Sequence, residues 1–124
     1  MNVADLVWVG LAGSVGAAAR FVLDGAVRSR TTSRWPVGTL LINVSGSLLL
    51  GLLTGVVVFD HASATLTLVA GSGFCGGFTT FSTASFETVR LVRQGELAAA
   101  GTNVAATVGG TLLAAAAGLA LASL

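Results

Sequence analysis

The sequence from Gly71 to Glu87 reads GSGFCGGFTTFSTASFE, which is too polar and too rich in glycine for an ordinary membrane-spanning helix. Apolar sequence nevertheless lies on both sides of it. Because every backbone N–H and C=O needs a partner in hydrocarbon, such a run is tolerated only where it faces protein, ions or water. The run contains two aromatic rings, Phe78 and Phe81. Around them lies a cluster of hydroxyl residues: Thr79, Thr80, Ser82, Thr83 and Ser85. The stretch therefore predicts a broken helix whose polar residues face protein, ions or water rather than lipid.

The composition of the whole chain indicates a membrane protein. Of its 124 residues, 54% are hydrophobic and 9% are charged, and the mean hydropathy is +0.92. Such a chain cannot cover a globular surface with water-loving groups, so its natural solvent is lipid. The formal net charge is only +1 and the basic residues form no stripe, which excludes nucleic acid as a partner.

Residues used in catalysis and metal binding are scarce. Cys75 is the only cysteine and His61 the only histidine, which excludes an intramolecular disulfide and leaves no metal-ligand cluster. Cys75 is interpreted as a small, buried packing residue. No nucleophile, base and orienting group come together, and GSGFCGG lacks the lysine of a phosphate-binding loop. The chain is therefore predicted not to be an enzyme.

The chain divides into four apolar blocks, at residues 5–23, 36–59, 66–92 and 97–124. Each is long enough to cross a bilayer, which takes about 20 helical residues. We therefore predict an all-α membrane protein, a single domain over residues 1–124 with four transmembrane helices and a broken third helix. The N-terminus lacks the basic start of a cleaved signal peptide, so the first block is expected to be a span.

Two further blocks carry polar stripes at helical spacing. The stripes are Thr39, Asn43 and Ser47 in the second block, and Asn103, Thr107 and Thr111 in the fourth. Hydroxyls can bond back to their own i−4 carbonyls, which removes most of the cost of burying them but does not explain why they align. Since an exposed hydroxyl in hydrocarbon costs free energy, the stripes are expected to converge on the broken helix.

Asn43 has two interpretations. An amide at membrane depth is expensive unless it is paired, so Asn43 either joins two helices or presents its NH₂ group to a passing anion. The glycines of the same blocks have a simpler interpretation. Gly10, Gly13 and Gly16 in the first block, and Gly51 and Gly55 in the second, are expected to let helix backbones approach closely.

The basic residues are distributed on one side of the predicted protein. They lie at or beside the first and third connections and are Arg20, Arg28, Arg30, Arg34, Arg90 and Arg93. The positive-inside rule then places these connections in the cytoplasm and both termini outside. Arg20 lies near the end of the first span, where it either extends to the interface or forms an electropositive vestibule at the mouth of a pore.

Three segments, GSVGAAARF, PVGTLLINVSGSLLLG and GFCGGFTTFST, resemble the Fluc (CrcB) family of fluoride channels. The resemblance covers nearly the whole chain, although the fourth block matches only loosely. It implies a channel in the bacterial plasma membrane that exports fluoride passively and so relieves fluoride toxicity. It also implies four-helix subunits that pair as an antiparallel, dual-topology dimer, with two pores along the faces between subunits.

The resemblance further implies a structural sodium ion. The third helix would break from Gly76 to Thr79, and the backbone carbonyls of these two residues, from both subunits, would hold the ion on the two-fold axis. Unwound carbonyls are hard oxygen ligands at membrane depth, which suits sodium.

The ion pathway implied by the resemblance uses hydrogen-bond donors and an aromatic ring. Fluoride is small and strongly hydrated, so a dry pore must replace its water with donors. The donors would be Asn43, Ser82, Thr83, Thr107 and Thr111. Phe81 matches the first phenylalanine of the family, whose positive ring edge can face an anion. Glu87 matches a family glutamate and is expected to bond to side chains rather than to ions.

One residue departs from the family pattern. The family reads TTFSTFS, whereas this chain reads TTFSTAS, so Ala84 replaces the second phenylalanine. With the one-sided arginines, this suggests a heterodimer in which a paralogous partner supplies the missing ring, and a homodimer is the alternative. Two other functions are considered. One is a non-conducting or half-pore structural subunit, and the other is a small multidrug-resistance-type proton-coupled exporter, which would need a membrane-embedded carboxylate.

Overall fold

A computed structural model describes all 124 residues, from Met1 to Leu124, and every regular element in it is helical. The elements, in chain order, are α1 (Val3–Arg28), α2 (Val37–Asp60), α3 (Ala64–Leu66), a π-helix (Thr67–Cys75), α4 (Gly76–Phe78), α5 (Phe81–Arg93) and α6 (Leu97–Ala122). Three of them, α1, α2 and α6, are long and apolar enough to cross a membrane. The chain is therefore an all-helical, multi-pass membrane protein.

The third apolar block of the sequence has a different construction. Helical turns follow one another without a gap through residues 64–78, here called the 64–78 segment, and α5 begins at Phe81. Thr79 and Thr80 lie between them with extended dihedral angles, φ −81° and ψ 161° at Thr79 and φ −149° and ψ 119° at Thr80. Extended angles at two successive residues are incompatible with a continuous helical hydrogen-bond pattern. The interruption therefore lies at Thr79 and Thr80, and the expectation that it begins at Gly76 is wrong, because Gly76–Phe78 are helical.

α1 is longer than the predicted first span because its last turn has its own stabilising pair. The helix continues past Leu23 to Arg28, whose Nε lies 2.9 Å from Asp24 Oδ2 at i,i+4 spacing. A basic residue in the last turn also interacts favourably with the helix dipole. The connection predicted at residues 24–35 is shortened accordingly, and α2 begins at Val37.

Glycines allow α1 to lie directly against the 64–78 segment. A Cβ atom at Gly16 would meet the backbone oxygen of Phe74, and one at Gly77 would meet the backbone oxygen of Gly13. Helices in lipid associate through close packing of this kind, because no hydrophobic force drives them together. The prediction that the first-span glycines are packing residues is thus confirmed at Gly13 and Gly16. It is wrong at Gly10, where a Cβ atom would meet nothing within 4 Å, so no backbone approaches α1 there.

α2 and α6 form the second close pair. A Cβ atom at Gly51 would meet the backbone oxygen of Ala115, and one at Gly55 would lie 3.2 Å from the backbone oxygen of Leu119. Because these contacts advance along both helices together, α2 and α6 run in the same direction. The predicted packing role of Gly51 and Gly55 is confirmed as well.

The surface of the chain is apolar. Only 20 of the 124 residues are buried, whereas Trp8, Leu113 and Phe81 are 59%, 74% and 88% exposed. A surface of this kind is stable against lipid or another subunit and unstable against water. Polar groups within such a chain need hydrogen-bond partners, because lipid offers them none.

Candidate ion-binding groove

A single side chain from α2 holds the two extended residues between α4 and α5. Asn43 Nδ2 donates to the Thr80 carbonyl at 2.9 Å, and Asn43 Oδ1 accepts from the Thr80 N–H at 2.8 Å. Both residues are buried. The amide therefore supplies the partners that a helix would otherwise give to the backbone of Thr80. Asn43 thus joins α2 to this break, and one of its two Nδ2 hydrogens is not used in doing so.

The same arrangement frees two backbone carbonyls. In a continuous helix the Gly76 carbonyl would accept from the Thr80 N–H, and the Thr79 carbonyl from the Thr83 N–H. The Thr80 N–H donates to Asn43 instead, and the Thr83 N–H donates to Thr80 Oγ1 at 3.1 Å. Access to Gly76 is open, since a Cβ atom there would meet nothing within 4 Å.

A groove of about 430 Å³ runs beside the break and is walled by α2, the 64–78 segment, the start of α5, and α6. We call it the polar groove. It brings together six residues predicted from the sequence to bind ions: Asn43, Gly76, Thr79, Phe81, Thr107 and Thr111. These residues come from distant parts of the chain, so the predicted convergence of the two polar stripes on the third block is confirmed for Asn43, Ser47, Thr107 and Thr111. It is wrong for Thr39 and Asn103, which pair outside the groove.

The hydroxyls of the polar groove fall into two groups. In the first group, those of Thr79 and Thr111 donate to the carbonyls four residues earlier, at 2.8 and 2.6 Å, as is common in membrane helices, and that of Thr80 donates to Thr83 Oγ1 at 3.1 Å. The hydroxyls of Ser47, Ser72 and Thr107 also line the groove, but they have no hydrogen-bond partner within the chain. These three groups are free to donate to something that enters the groove.

Phe81 and Ala84 lie at the α5 edge of the polar groove. The side chain of Phe81 is 88% exposed, so nothing in this chain covers its ring. Ala84 follows one turn later and is buried in the wall of the groove. A phenylalanine at position 84 would face into this space, whereas the methyl group of alanine leaves it open.

Ser82 and Thr83 do not line the polar groove. They surround Thr80 instead, whose Oγ1 donates to Thr83 Oγ1 at 3.1 Å and lies 3.3 Å from Ser82 Oγ. Thr83 and Arg20 share a second cavity, of about 300 Å³, on the α1 side of the break. Arg20 therefore lies close to the break, and its role as a vestibule residue stays a prediction.

Glu87 is a buried carboxylate in α5. Thr39 Oγ1 donates to its Oε1 at 2.5 Å, and Arg90 Nη2 lies 4.0 Å from its Oε2. All three side chains line a charged cavity of about 230 Å³ together with Arg28 and Arg34. Glu87 thus bonds to side chains of its own chain, whereas its place in an ion pathway stays a prediction.

Sequence patterns leave several polar residues of these cavities without a role. Thr39 and Ser47 belong to the predicted polar stripe of α2, but only the structure shows that Thr39 donates to Glu87 whereas Ser47 faces the polar groove without a partner. Ser72 precedes Gly76 by four residues, a spacing that places both residues on one helical face. This spacing is the sequence signal by which Ser72 could have been predicted as a groove residue. Asn103 lies outside the groove, where its Nδ2 donates to Thr88 Oγ1 at 2.8 Å.

The fold and the groove together define a small, all-helical, multi-pass membrane protein whose groove contains free hydrogen-bond donors and unpaired backbone carbonyls. The family model described as CrcB-like protein, Camphor Resistance (CrcB) matches residues 7–119. The chain belongs to this CrcB family, and the resemblance carried by the three motifs is confirmed.

Curated relatives share one name. The chain is 56% identical over 87 residues to the Fluoride-specific ion channel FluC 2 of Cutibacterium acnes. The aligned residues make up 68% of this chain and 70% of that protein. It is 49% identical over 92 residues to the Fluoride-specific ion channel FluC 1 of Leifsonia xyli subsp. xyli, with 74% and 67% covered. It is 44% identical over 113 residues to the Fluoride-specific ion channel FluC of Methylocella silvestris, with 89% and 86% covered.

Proposed function

We propose that this protein is a fluoride-selective ion channel, which lets fluoride leave the cell down its gradient and so relieves fluoride toxicity. The observation that carries the proposal is the polar groove, where the Asn43 amide, the Thr107 hydroxyl and the Phe81 ring converge. Residues predicted to form the ion pathway line this groove. The relatives of the chain are named fluoride-specific ion channels. Transport through such a groove is passive and involves no enzymatic step.

The groove replaces the water of a hydrated anion with fixed donors. Burial of an unpaired anion is costly, so each lost water must be matched by a hydrogen bond. Asn43 offers its second Nδ2 hydrogen, Thr107 offers an unpartnered hydroxyl, and Thr111 offers one that can turn away from its carbonyl. The exposed ring of Phe81 can present its positive edge to the same ion.

The remaining pathway residues lie on the other side of the break. Ser82 lies beside Thr80, and Thr83 lines the cavity that contains Arg20, where a positive charge would raise the local concentration of anions. Glu87 lies beyond them, and its carboxylate is held by Thr39 and Arg90. We assign Glu87 the task of positioning these two side chains at the arginine-rich end of the pathway.

We further propose that the carbonyls of Gly76 and Thr79 bind a structural sodium ion. Both carbonyls have lost their helical donors, and carbonyl oxygen is a ligand type that suits hard cations at membrane depth. Gly76 is exposed, so nothing in this chain covers the approach to it. A sodium ion bound there would supply the positive charge that stabilises such carbonyls close together, and a second subunit would complete the ligand set.

The third block is proposed to span the membrane as a broken helix, in an antiparallel dimer whose subunits meet along it. The uncovered ring of Phe81 and the open approach to Gly76 both favour a partner on this face. Arg28, Arg34 and Arg90 gather around one cavity, which supports one cytoplasmic end for this chain. In bacteria this membrane would be the plasma membrane.

The partner is proposed to be a paralogous subunit, because Ala84 leaves the groove without a second ring. Relatives are numbered FluC 1 and FluC 2, which suits paralogous pairs. The same residue favours one competing function, that of a half-pore structural subunit. A proton-coupled multidrug exporter is disfavoured because Glu87 is already bonded to Thr39 and Arg90.

Flux from liposomes tests the proposal. The purified chain, alone and together with a paralogous subunit, is reconstituted into vesicles loaded with fluoride and chloride, and release is followed with electrodes selective for each ion. We expect release of fluoride without chloride. Phe81→Ile should abolish this release because it removes the ring edge, whereas Phe86→Ile, at a 67% exposed position outside the groove, should not.

Equal leakage of both ions would contradict a fluoride-selective channel. Absence of flux from every combination would leave the structural subunit as the better description. Full flux in Phe81→Ile would exclude the ring from the pathway, even if the channel function itself were upheld.

A further inference from the structure

We infer a further anion-binding site in the polar groove, formed by the hydroxyls of Ser47 and Ser72. It would lie beyond Asn43, on the side of the groove away from α5, and would bind fluoride after the ion has passed the Asn43 amide. The inference rests on the proposed channel function and adds to the pathway two residues outside the predicted set.

Ser47 differs from every other hydroxyl of its helix. α2 contains Thr39, Ser45, Ser47 and Thr54. Thr39 donates to Glu87, Ser45 to the Ile42 carbonyl, and Thr54 to the Leu50 carbonyl. Ser47 alone has no partner, and it is also the only one of these four that lines the polar groove. Its hydroxyl has therefore been left free where an ion can reach it.

Ser72 lies opposite α2 on the π-helix, between two glycines with packing roles. A Cβ atom at Gly71 would lie 3.2 Å from Leu50 Cδ1, and one at Gly73 would lie 2.9 Å from the Cβ of Ala12. The backbone of the π-helix is thus fixed against both α2 and α1. Ser72 itself is exposed toward the groove without a hydrogen-bond partner.

The packing places these two hydroxyls in one part of the groove. A Cβ atom at Gly46 would meet Thr79 Cγ2, while Leu50 lies against Gly71, so α2 and the 64–78 segment run antiparallel here. Ser47 lies between the levels of Gly46 and Leu50 on α2. It is four residues beyond Asn43, a rise of about 6 Å along the helix.

This separation gives the site a physical purpose. An anion that leaves a fixed amide in a dry groove loses a hydrogen bond unless another donor is near, and the loss costs more for a charged ligand than for a neutral one. Two hydroxyls without internal partners can reorient toward the ion at no cost in internal hydrogen bonds. Ser47 and Ser72 would therefore lower the barrier to movement away from Asn43.

Fluoride flux in liposomes tests the site. Initial rates per dimer are measured for Ser47→Ala, Ser72→Ala and the double variant over a range of fluoride concentrations. Each single variant should be slower by about tenfold, the effect of one lost hydrogen bond to a charged group. The half-saturating fluoride concentration should rise. Ser47→Thr, which keeps a hydroxyl, should retain most of the rate.

Ser45→Ala is the matched control, since it removes a hydroxyl two residues away that is bonded to Ile42 and does not line the groove. Its rate should stay within about twofold of the wild type. A double variant with wild-type rates and wild-type saturation would overturn this site while leaving the channel function intact. A wild-type chain without fluoride flux, alone or with a partner, would overturn both. Loss of dimer with an unchanged rate per dimer would show that the serines serve assembly and would overturn the ion site.

Discussion

At the scale of single residues, Asn43 matters most for the shape of the groove because it satisfies both backbone groups of Thr80. Asn43→Ala would leave a buried N–H and a buried C=O without partners, at about 1–3 kcal/mol each. We expect the free energy of unfolding in detergent to fall by about 2–6 kcal/mol. Thermal or denaturant unfolding of the purified protein measures this change.

Asn103→Ala is the control for this change, because Asn103 is also a buried amide but makes one side-chain bond, to Thr88 Oγ1. The Thr88 hydroxyl still donates to the Ala84 carbonyl when Asn103 is removed. Its substitution should therefore cost less. An equal or smaller loss for Asn43→Ala would contradict the role of Asn43 at the break.

Residue types and spacing predict which positions are polar, but they do not predict the hydrogen-bond partners of these residues. The stripe of Thr39, Asn43 and Ser47 is readable from i,i+4 spacing, but the three residues serve Glu87, Thr80 and an open groove respectively. The partners of Thr39 and Asn43 lie 48 and 37 residues away in the chain. Local periodicity contains no information about contacts at that distance, which is why both interpretations of Asn43 had to stay open.

At the scale of helices, the packing of α1 on the 64–78 segment depends on glycine. Gly16→Ala would place a methyl group against the backbone oxygen of Phe74, 3.0 Å from the Phe78 nitrogen. Because backbone cannot move aside as a side chain can, we expect destabilisation by about 1–3 kcal/mol. Unfolding in detergent again provides the measurement.

The matched control is on the same helix. Gly10→Ala would add a methyl group that meets nothing within 4 Å, so its higher helix propensity should make it neutral or stabilising by up to about 1 kcal/mol. The two substitutions are chemically identical and differ only in what the methyl group meets. Equal effects at both positions would mean that helix propensity, rather than close packing, decides stability in α1.

Sequence patterns predict some features of helix packing and miss others. Small residues at four-residue spacing predict the contacts of Gly51 and Gly55, because backbone approach in lipid demands them. The π-helix at Thr67–Cys75 is not predictable in this way. A π-helix differs from an α-helix by one extra residue per hydrogen-bonded ring, and no residue type in this stretch requires it. Its position still affects the groove, since Ser72 projects from it.

At the scale of the whole molecule, the face of the chain along the polar groove is left open by the chain itself. Phe81 has an uncovered ring, the carbonyls of Gly76 and Thr79 lack their helical donors, and Ala84 leaves open the space of a second ring. Composition predicts the membrane and the motifs predict the family. Neither separates the proposed heterodimer from a homodimer, because both assemblies would use a subunit that exposes the same residues when isolated.

Ala84→Phe separates these two assemblies. If a paralogous partner normally supplies the second ring, the wild-type chain alone should conduct poorly, and the variant alone should release fluoride from liposomes at least about tenfold faster, because ring edges would then line both pores of a homodimer. The polar groove, at about 430 Å³, has room for the added ring. Val89→Phe adds the same ring at a 52% exposed position outside the groove and should leave the rate unchanged. If instead the wild-type chain alone matches or exceeds Ala84→Phe, one ring per subunit is enough, the added phenyl group obstructs the path, and the protein works as a homodimer.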